Sequence, residues 1–164
     1  MPGTEVRLKN SRETPMRRLI HVINGPNLNL LGTRQPEVYS RETLADVERD
    51  CRALAKTLDL EVVFHQSNLE GGVIEFIHGA QTKAGGVIIN AGAYTHTSIG
   101  IYDALKILDV PIIEVHISNI HQREEFRHHS YISRVASGVI VGCGAQGYQL
   151  ALHRMARLLG NAGT

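Results

Sequence analysis

Charge of one sign is what this chain has least of. Lysine plus arginine number 17 against 16 aspartates and glutamates, a net charge of +1, and no run of five or more basic residues occurs. No overall field draws it to a polyanion, so nucleic-acid binding is disfavoured. Cysteine is scarce as well: Cys51 and Cys143 lie far apart and form neither a CxxC pair nor a disulfide framework, which fits a reducing compartment. Long apolar runs are missing; none approaches the ~18 residues that span a bilayer, and the first residues do not resemble a secretory signal. The expectation is a soluble, cytoplasmic protein with no membrane partner. Nine histidines are present, with His121, His128 and His129 close together, yet they lack the spaced Cys/His partners of a structural zinc site, so no metal is expected. A GxxxxGK[ST] phosphate loop is also absent.

What is present is a strand-helix rhythm. At 164 residues the chain suits one domain, since a chain of about 150 residues buries roughly 70% of its unfolded surface. Residues 1–17 are polar, aperiodic and hold two prolines, which predicts a disordered extension ahead of a single domain over 18–160. Leu19 to Asn24 reads as a strand apolar on both faces, as a parallel sheet covered by helices requires. Thr43 with Asp46 three residues on predicts a capping box, followed by Leu44, Val47, Cys51, Leu54 and Leu58 on one helix face. Further strands are expected over 61–66, 86–90, 111–117 and 138–141. Helices are expected over 73–81 and 98–108, with a last one carrying Tyr148, Leu152, Met155 and Leu159 and stopped by Gly160. Five strands alternating with helices predict an open parallel α/β sheet of flavodoxin-like order 2-1-3-4-5 with helices on both faces. Ligands of such sheets sit beyond the carboxyl ends of the strands, where the order reverses.

Those strand ends are rich in amides, hydroxyls, histidines and glycines, suited to a polyhydroxylated or carboxylated small molecule. The loop from Asn24 to Tyr39 is about sixteen residues long, against a usual ~4 to 6, and reads as a lid or binding loop. It carries Arg34 and Tyr39; a phenol with a pKa near ~10 becomes a base at neutral pH only if a cation stabilises its phenolate. Alternatively, both residues are ordinary surface groups. Glu114 and His116 alternate along one strand, on one face and about 7 Å apart. A carboxylate beside the imidazole favours its protonated form and supplies a general acid, unless the pair is purely structural. Asn90 ends the third strand, where its amide either grips a substrate oxygen or caps the turn. Ser118 and the amides around Ile117 and Ser118 can receive a carboxylate, and Arg127 can add a charge-assisted bond; read alone, Arg123 and Arg127 are the solvated face of a short helix. Gly142-Cys143-Gly144-Ala145-Gln146-Gly147 matches GxGxxG, but no further strand with an acidic ribose ligand follows, so these glycines are read as allowing close helix-sheet approach.

Six segments resemble one family. Asn24-Gly25-Pro26-Asn27-Leu28, the loop from Gly32 to Tyr39, His65-Gln66-Ser67-Asn68, the run from Ile89 to Ser98, Glu114-Val115-His116-Ile117-Ser118-Asn119 and the run from Arg123 to Ser130 together resemble type II 3-dehydroquinate dehydratase, over about 19–159. The resemblance implies a cofactor-free trans elimination of water from 3-dehydroquinate to give 3-dehydroshikimate through an enolate. It implies Tyr39 as proton acceptor, Arg34 as stabiliser of its phenolate, His116 as proton donor oriented by Glu114, and Asn27 as the residue that positions an ordered water. It further implies substrate binding by Asn90, His96, Ile117, Ser118 and Arg127, with Arg123 near the lid and Asp103 reached from a neighbouring subunit. A homododecamer built from trimers is implied too. Gln35 and Ser40 depart from the family's common glutamate and glycine, both in the lid. Two readings from other classes compete: a flavodoxin-like binding module, which has no use for Tyr39, and a dehydrogenase using the last glycine loop, which requires tight dinucleotide binding.

Overall fold

The computed structural model describes residues 18–33 and 42–160. The expected extension over 1–17 and the loop residues Arg34, Gln35, Tyr39 and Ser40 lie outside the described residues. Five strands form one parallel sheet in the order β2-β1-β3-β4-β5, the flavodoxin-like order expected: β1 is Leu19–Asn24, β2 Glu61–Gln66, β3 Gly86–Asn90, β4 Ile112–His116 and β5 Gly138–Val141. Every residue of β3 and β4 is buried, as are all of β1 but its first, whereas the edge strands β2 and β5 are partly exposed. Continuous apolar runs are thus the mark of strands covered on both faces.

The helices split between the two faces. Helix α1 (Leu44–Thr57) starts at the capping box read from the sequence: the Thr43 side chain accepts from the Asp46 N–H, and the Asp46 carboxylate accepts from the Thr43 N–H at 3.0 Å. Helix α4 (Gln146–Leu158) runs out at Gly160, whose φ of 76° is the left-handed conformation that ends helices cheaply only at glycine. Together α1 and α4 bury Val47, Cys51, Tyr148, Leu152 and Met155 against Val22, Ile88 and Val115 of the sheet. Each such aliphatic side chain contributes about 1.5–3 kcal/mol of burial. On the opposite face, α2 (Glu70–Ala80) and α3 (Ile99–Lys106) place Val73, Ile77, Ile101 and Leu105 against Ile23, Val87 and Ile89. Helix α2 begins three residues earlier than its apolar spacing predicts. Gly71 and Gly72 depress helix propensity there, yet a Cβ at Gly72 would overlap the Ser67 side chain, so the close turn from β2 requires glycine and the helix continues through it. Helix α3 is shorter than expected, with Ser98 as its N-cap accepting from the Ile101 N–H at 2.9 Å.

The loops after β1 and β3 are pressed together at the switch point. Gly25 N–H donates to the Asn90 carbonyl at 2.8 Å, and a Cβ on Gly25 would overlap the Ala91 carbonyl, so no other residue fits. The connections contain five short 3-10 turns, over Leu28–Leu30, Gly92–His96, Ile120–Gln122, Glu125–Arg127 and Ile132–Arg134, of which only the one around Arg127 was expected as a short helix. Single 3-10 turns carry too little apolar periodicity to be read from sequence. They set the walls of the cleft described next.

Candidate active site

A cleft of about 330 Å³ opens beyond the carboxyl ends of the strands. Its floor is Asn90 at the end of β3 and His116 at the end of β4, both buried. One wall is the turn after β1, with Asn27, Leu28 and Leu31; the other is Ile117, Ser118 and Ile120 after β4, with Arg123 and Arg127 above. Gly92, Ala93 and His96 complete it from the turn after β3. Asn27, Asn90, His96, His116, Ile117, Ser118, Arg123 and Arg127, all singled out from the sequence, therefore share one cavity. Asp103 does not: it lies exposed on α3 and does not line this cleft. Arg123 and Arg127, which alone read as a solvated face, line the cavity as well.

Behind the floor, His116 Nε2 donates to Glu114 Oε1 at 2.8 Å, with the two side chains 5% and 0% exposed. A charge in such a place must be paired. Ser130 supplies a second donor to the same oxygen at 2.7 Å. Burial pushes the Glu114 carboxyl up, but the bonds from His116, Ser130 and Ser133 outweigh it and hold it below the ordinary glutamate value. Glu114 is thus a carboxylate, and it leaves Nδ1 as the imidazole nitrogen available to a ligand. Ser130 was missed as a site residue because its tie to Glu114 spans sixteen positions and two elements.

His96 stacks 6.2 Å from His116. Its Nδ1 lies 2.7 Å from the His129 carbonyl, an acceptor only, so Nδ1 carries the proton and Nε2 is left as a lone-pair acceptor. Burial first, then the charges of His116 and Arg127, hold its pKa below the ordinary histidine value, against the opposing pull of the His129 bond. A neutral His96 is an acceptor for a ligand hydroxyl. Arg127 is held by Glu124, whose carboxylate accepts from Nε at 2.7 Å, and its guanidinium lies 5.1 Å from the Phe126 ring. Asn27 adopts φ 68° and its N–H is tied to Asn68 Oδ1 at 2.9 Å, which aims the asparagine at the cleft from a fixed backbone.

Of the glycines after β5, Gly147 behaves as read, since a Cβ there would press Val115 of β4 at 3.2 Å and the glycine lets α4 lie close to the sheet; Gly142 instead closes on Asn119, and Gly144 has open space with a φ of 61°. Among the described residues no three His, Cys, Asp or Glu side chains gather as a metal site would need.

Fold and cleft together define a doubly wound α/β domain with a small-molecule cleft at its switch point, floored by an asparagine amide and a buried carboxylate–imidazole pair. The model of the family described as Dehydroquinase class II matches residues 18–156. The chain is 58% identical over 140 residues to 3-dehydroquinate dehydratase 2 of Agrobacterium fabrum, covering 85% of this chain and 95% of that one. It is 52% identical to 3-dehydroquinate dehydratase 2 of Pseudomonas aeruginosa, over 86% and 95% of the two chains. The crystal structure of type II dehydroquinase from Propionibacterium acnes superposes with a TM-score of 0.82 at 44% identity, over 87% of this chain and 98% of that one. The chain belongs to the class II dehydroquinase family. As a member it is an enzyme, a lyase of the dehydratase kind.

Proposed function

We propose that this chain dehydrates 3-dehydroquinate to 3-dehydroshikimate by a cofactor-free trans elimination, with Tyr39 as base and His116 as acid. The observation that carries the reading is the buried Glu114–His116 pair presenting its free ring nitrogen to a cleft floored by an asparagine amide. Abstraction of a proton alpha to a ketone needs a base, a donor for the enolate and an acid for the leaving group.

In this reading the phenolate of Tyr39, held ionised by Arg34, takes the alpha proton, and the electron pair moves onto the ketone oxygen. Asn90 donates to that oxygen side, with an ordered water positioned by Asn27. The enolate then collapses, expelling the hydroxyl, which leaves as water after receiving the proton of His116. Glu114 keeps the imidazole oriented and compensates its charge. His96 accepts from a substrate hydroxyl, while Ile117 and Ser118 receive the carboxylate and Arg127 adds charge. Arg123 stands at the mouth of the cleft. A trans elimination requires the base and the acid to reach opposite faces of the substrate ring.

Asp103 acts from outside: lying exposed on α3, it reaches the cleft of a neighbouring copy in a homododecamer built from trimers. Among the described residues no helix is long and apolar enough to cross a membrane. Two free cysteines agree with a cytoplasmic location.

The reading is tested by following enone absorbance as chelator-treated protein meets 3-dehydroquinate. Wild type should form product, and Tyr39→Phe should bind substrate while losing at least a hundredfold in kcat. Substrate binding without turnover by either protein would replace the enzyme with a binding module.

A further inference from the structure

Asn24 closes β1 and Asn90 closes β3, and they are register partners where the strand order reverses. Both are buried, and between them stands Tyr148, fully buried in the first turn of α4. The Tyr148 hydroxyl donates to Asn24 Oδ1 at 2.7 Å and accepts from Asn90 Nδ2 at 3.0 Å. Backbone groups anchor both ends of this chain. Asn24 Nδ2 donates to the His65 carbonyl at 3.1 Å, and Asn90 Oδ1 accepts from the Gly92 N–H at 3.2 Å.

Backbone donors and acceptors cannot exchange roles, so the whole chain has one direction. With its nitrogen committed to the His65 carbonyl, Asn24 must turn its oxygen to Tyr148. That oxygen takes the phenolic proton, and the phenolic lone pair is left for Asn90 Nδ2. Turning either carboxamide over would set donor against donor and acceptor against acceptor, in a place without solvent to relieve it. Burial also pushes the Tyr148 hydroxyl well above the ordinary tyrosine pKa, so the phenol stays protonated.

We infer that Tyr148 is a positioning residue for the reaction: it locks the Asn90 carboxamide in one orientation, so that what Asn90 offers the cleft is an amide hydrogen placed before substrate arrives. This rests on the reading above, in which Asn90 serves the developing enolate. A donor set in advance stabilises a transition state without reorganising during the reaction. The hydroxyl is fully buried and does not line the cleft, whereas Asn90, which donates to it, does.

Two measurements separate this role from simple packing. Neutron diffraction from deuterated crystals of the full chain should show the Tyr148 deuteron pointing at Asn24 Oδ1 and an Asn90 amide deuteron pointing at Tyr148; a phenolic deuteron aimed at Asn90 overturns the relay. Tyr148→Phe keeps the ring and removes the hydroxyl. It should lower kcat at least tenfold with KM within about twofold of wild type, and raise the deuterium isotope effect on removal of the alpha proton. A fall in thermal stability with kcat and isotope effect unmoved overturns the positioning role. If wild type itself fails to turn over 3-dehydroquinate, it is the reaction reading that falls, and the deuteron positions still decide the relay.

Discussion

Ser130 gives its hydroxyl to the same Glu114 oxygen that receives the His116 N–H, at 2.7 Å. That bond is among the forces that hold the buried carboxyl below its ordinary value. Ser130→Ala therefore lets the Glu114 pKa rise, and the acid limb of the kcat profile moves to higher pH. Near neutral pH kcat should fall about tenfold, the scale of one hydrogen bond to a charged group. A pH–rate profile of the variant checks both; an unmoved acid limb would leave Ser130 a packing residue only.

A histidine pair on the sheet, buried His21 with half-buried His65, makes stability depend on pH. His21 Nδ1 lies 3.1 Å from His65 Nε2, and His21 Nε2 is buried with no partner. Burial first, then the charges of His65 and Lys83, lower the His21 pKa from 6.5 to about 4. Between those values the unfolded chain binds more protons than the folded one. The stability His21 contributes is full above about pH 6.5 and lost as pH falls through about 4, on the order of 3 kcal/mol in all. Burial lowers the His65 pKa in the same sense. Urea unfolding between pH 7 and 4 should show the loss in wild type and a flatter dependence in His21→Leu; equal slopes would place the acid sensitivity elsewhere.

Gly25→Ala tests the contact between the loops after β1 and β3. The new methyl would meet the Ala91 backbone, which cannot swing away as a flexible side chain would. Overpacking of this kind costs typically about 1–3 kcal/mol. Because the Gly25–Asn90 bond sits under the cleft, kcat should fall along with the melting temperature. Calorimetry and steady-state kinetics on one preparation report both; a stable variant with wild-type kcat would mean the two loops separate freely.

If Asp103 serves a neighbouring copy, two crippled chains should repair each other. Asp103→Ala and His116→Ala, each inactive or nearly so alone, are unfolded together in equal amounts and refolded. About one site in four then draws His116 and Asp103 from undamaged sources. Recovery to roughly a quarter of wild-type activity supports the shared site, and recovery of none confines each site to one chain.

Much of this was legible because it is local. The Thr43–Asp46 capping box and the apolar runs of β1, β3 and β4 are decided within a few residues, and the structure has them where the pattern puts them. Glu114 and His116 were legible for the same reason, two positions apart on one strand. Tyr148 was not. On the helix face it reads as one more core residue, and its meaning lies in partners 58 and 124 positions away. Arg123 and Arg127 misled when read alone because a charged pair near a short turn looks solvated until the wall it faces is known. The early start of α2 was hidden by Gly71 and Gly72, which depress helix propensity, although Gly72 is there because Ser67 approaches it closely.

The two cysteines differ in a way that makes the molecule convenient to watch. Cys51 is buried on the inner face of α1, and burial pushes its thiol up to about 12, so it stays unreactive while the chain is folded. Cys143 is exposed in the loop after β5, on the same rim of the sheet as the cleft. A maleimide dye at neutral pH should therefore attach at one position per chain without any engineered thiol. The attached fluorophore would report on substrate entry from a fixed point at the mouth of the fold.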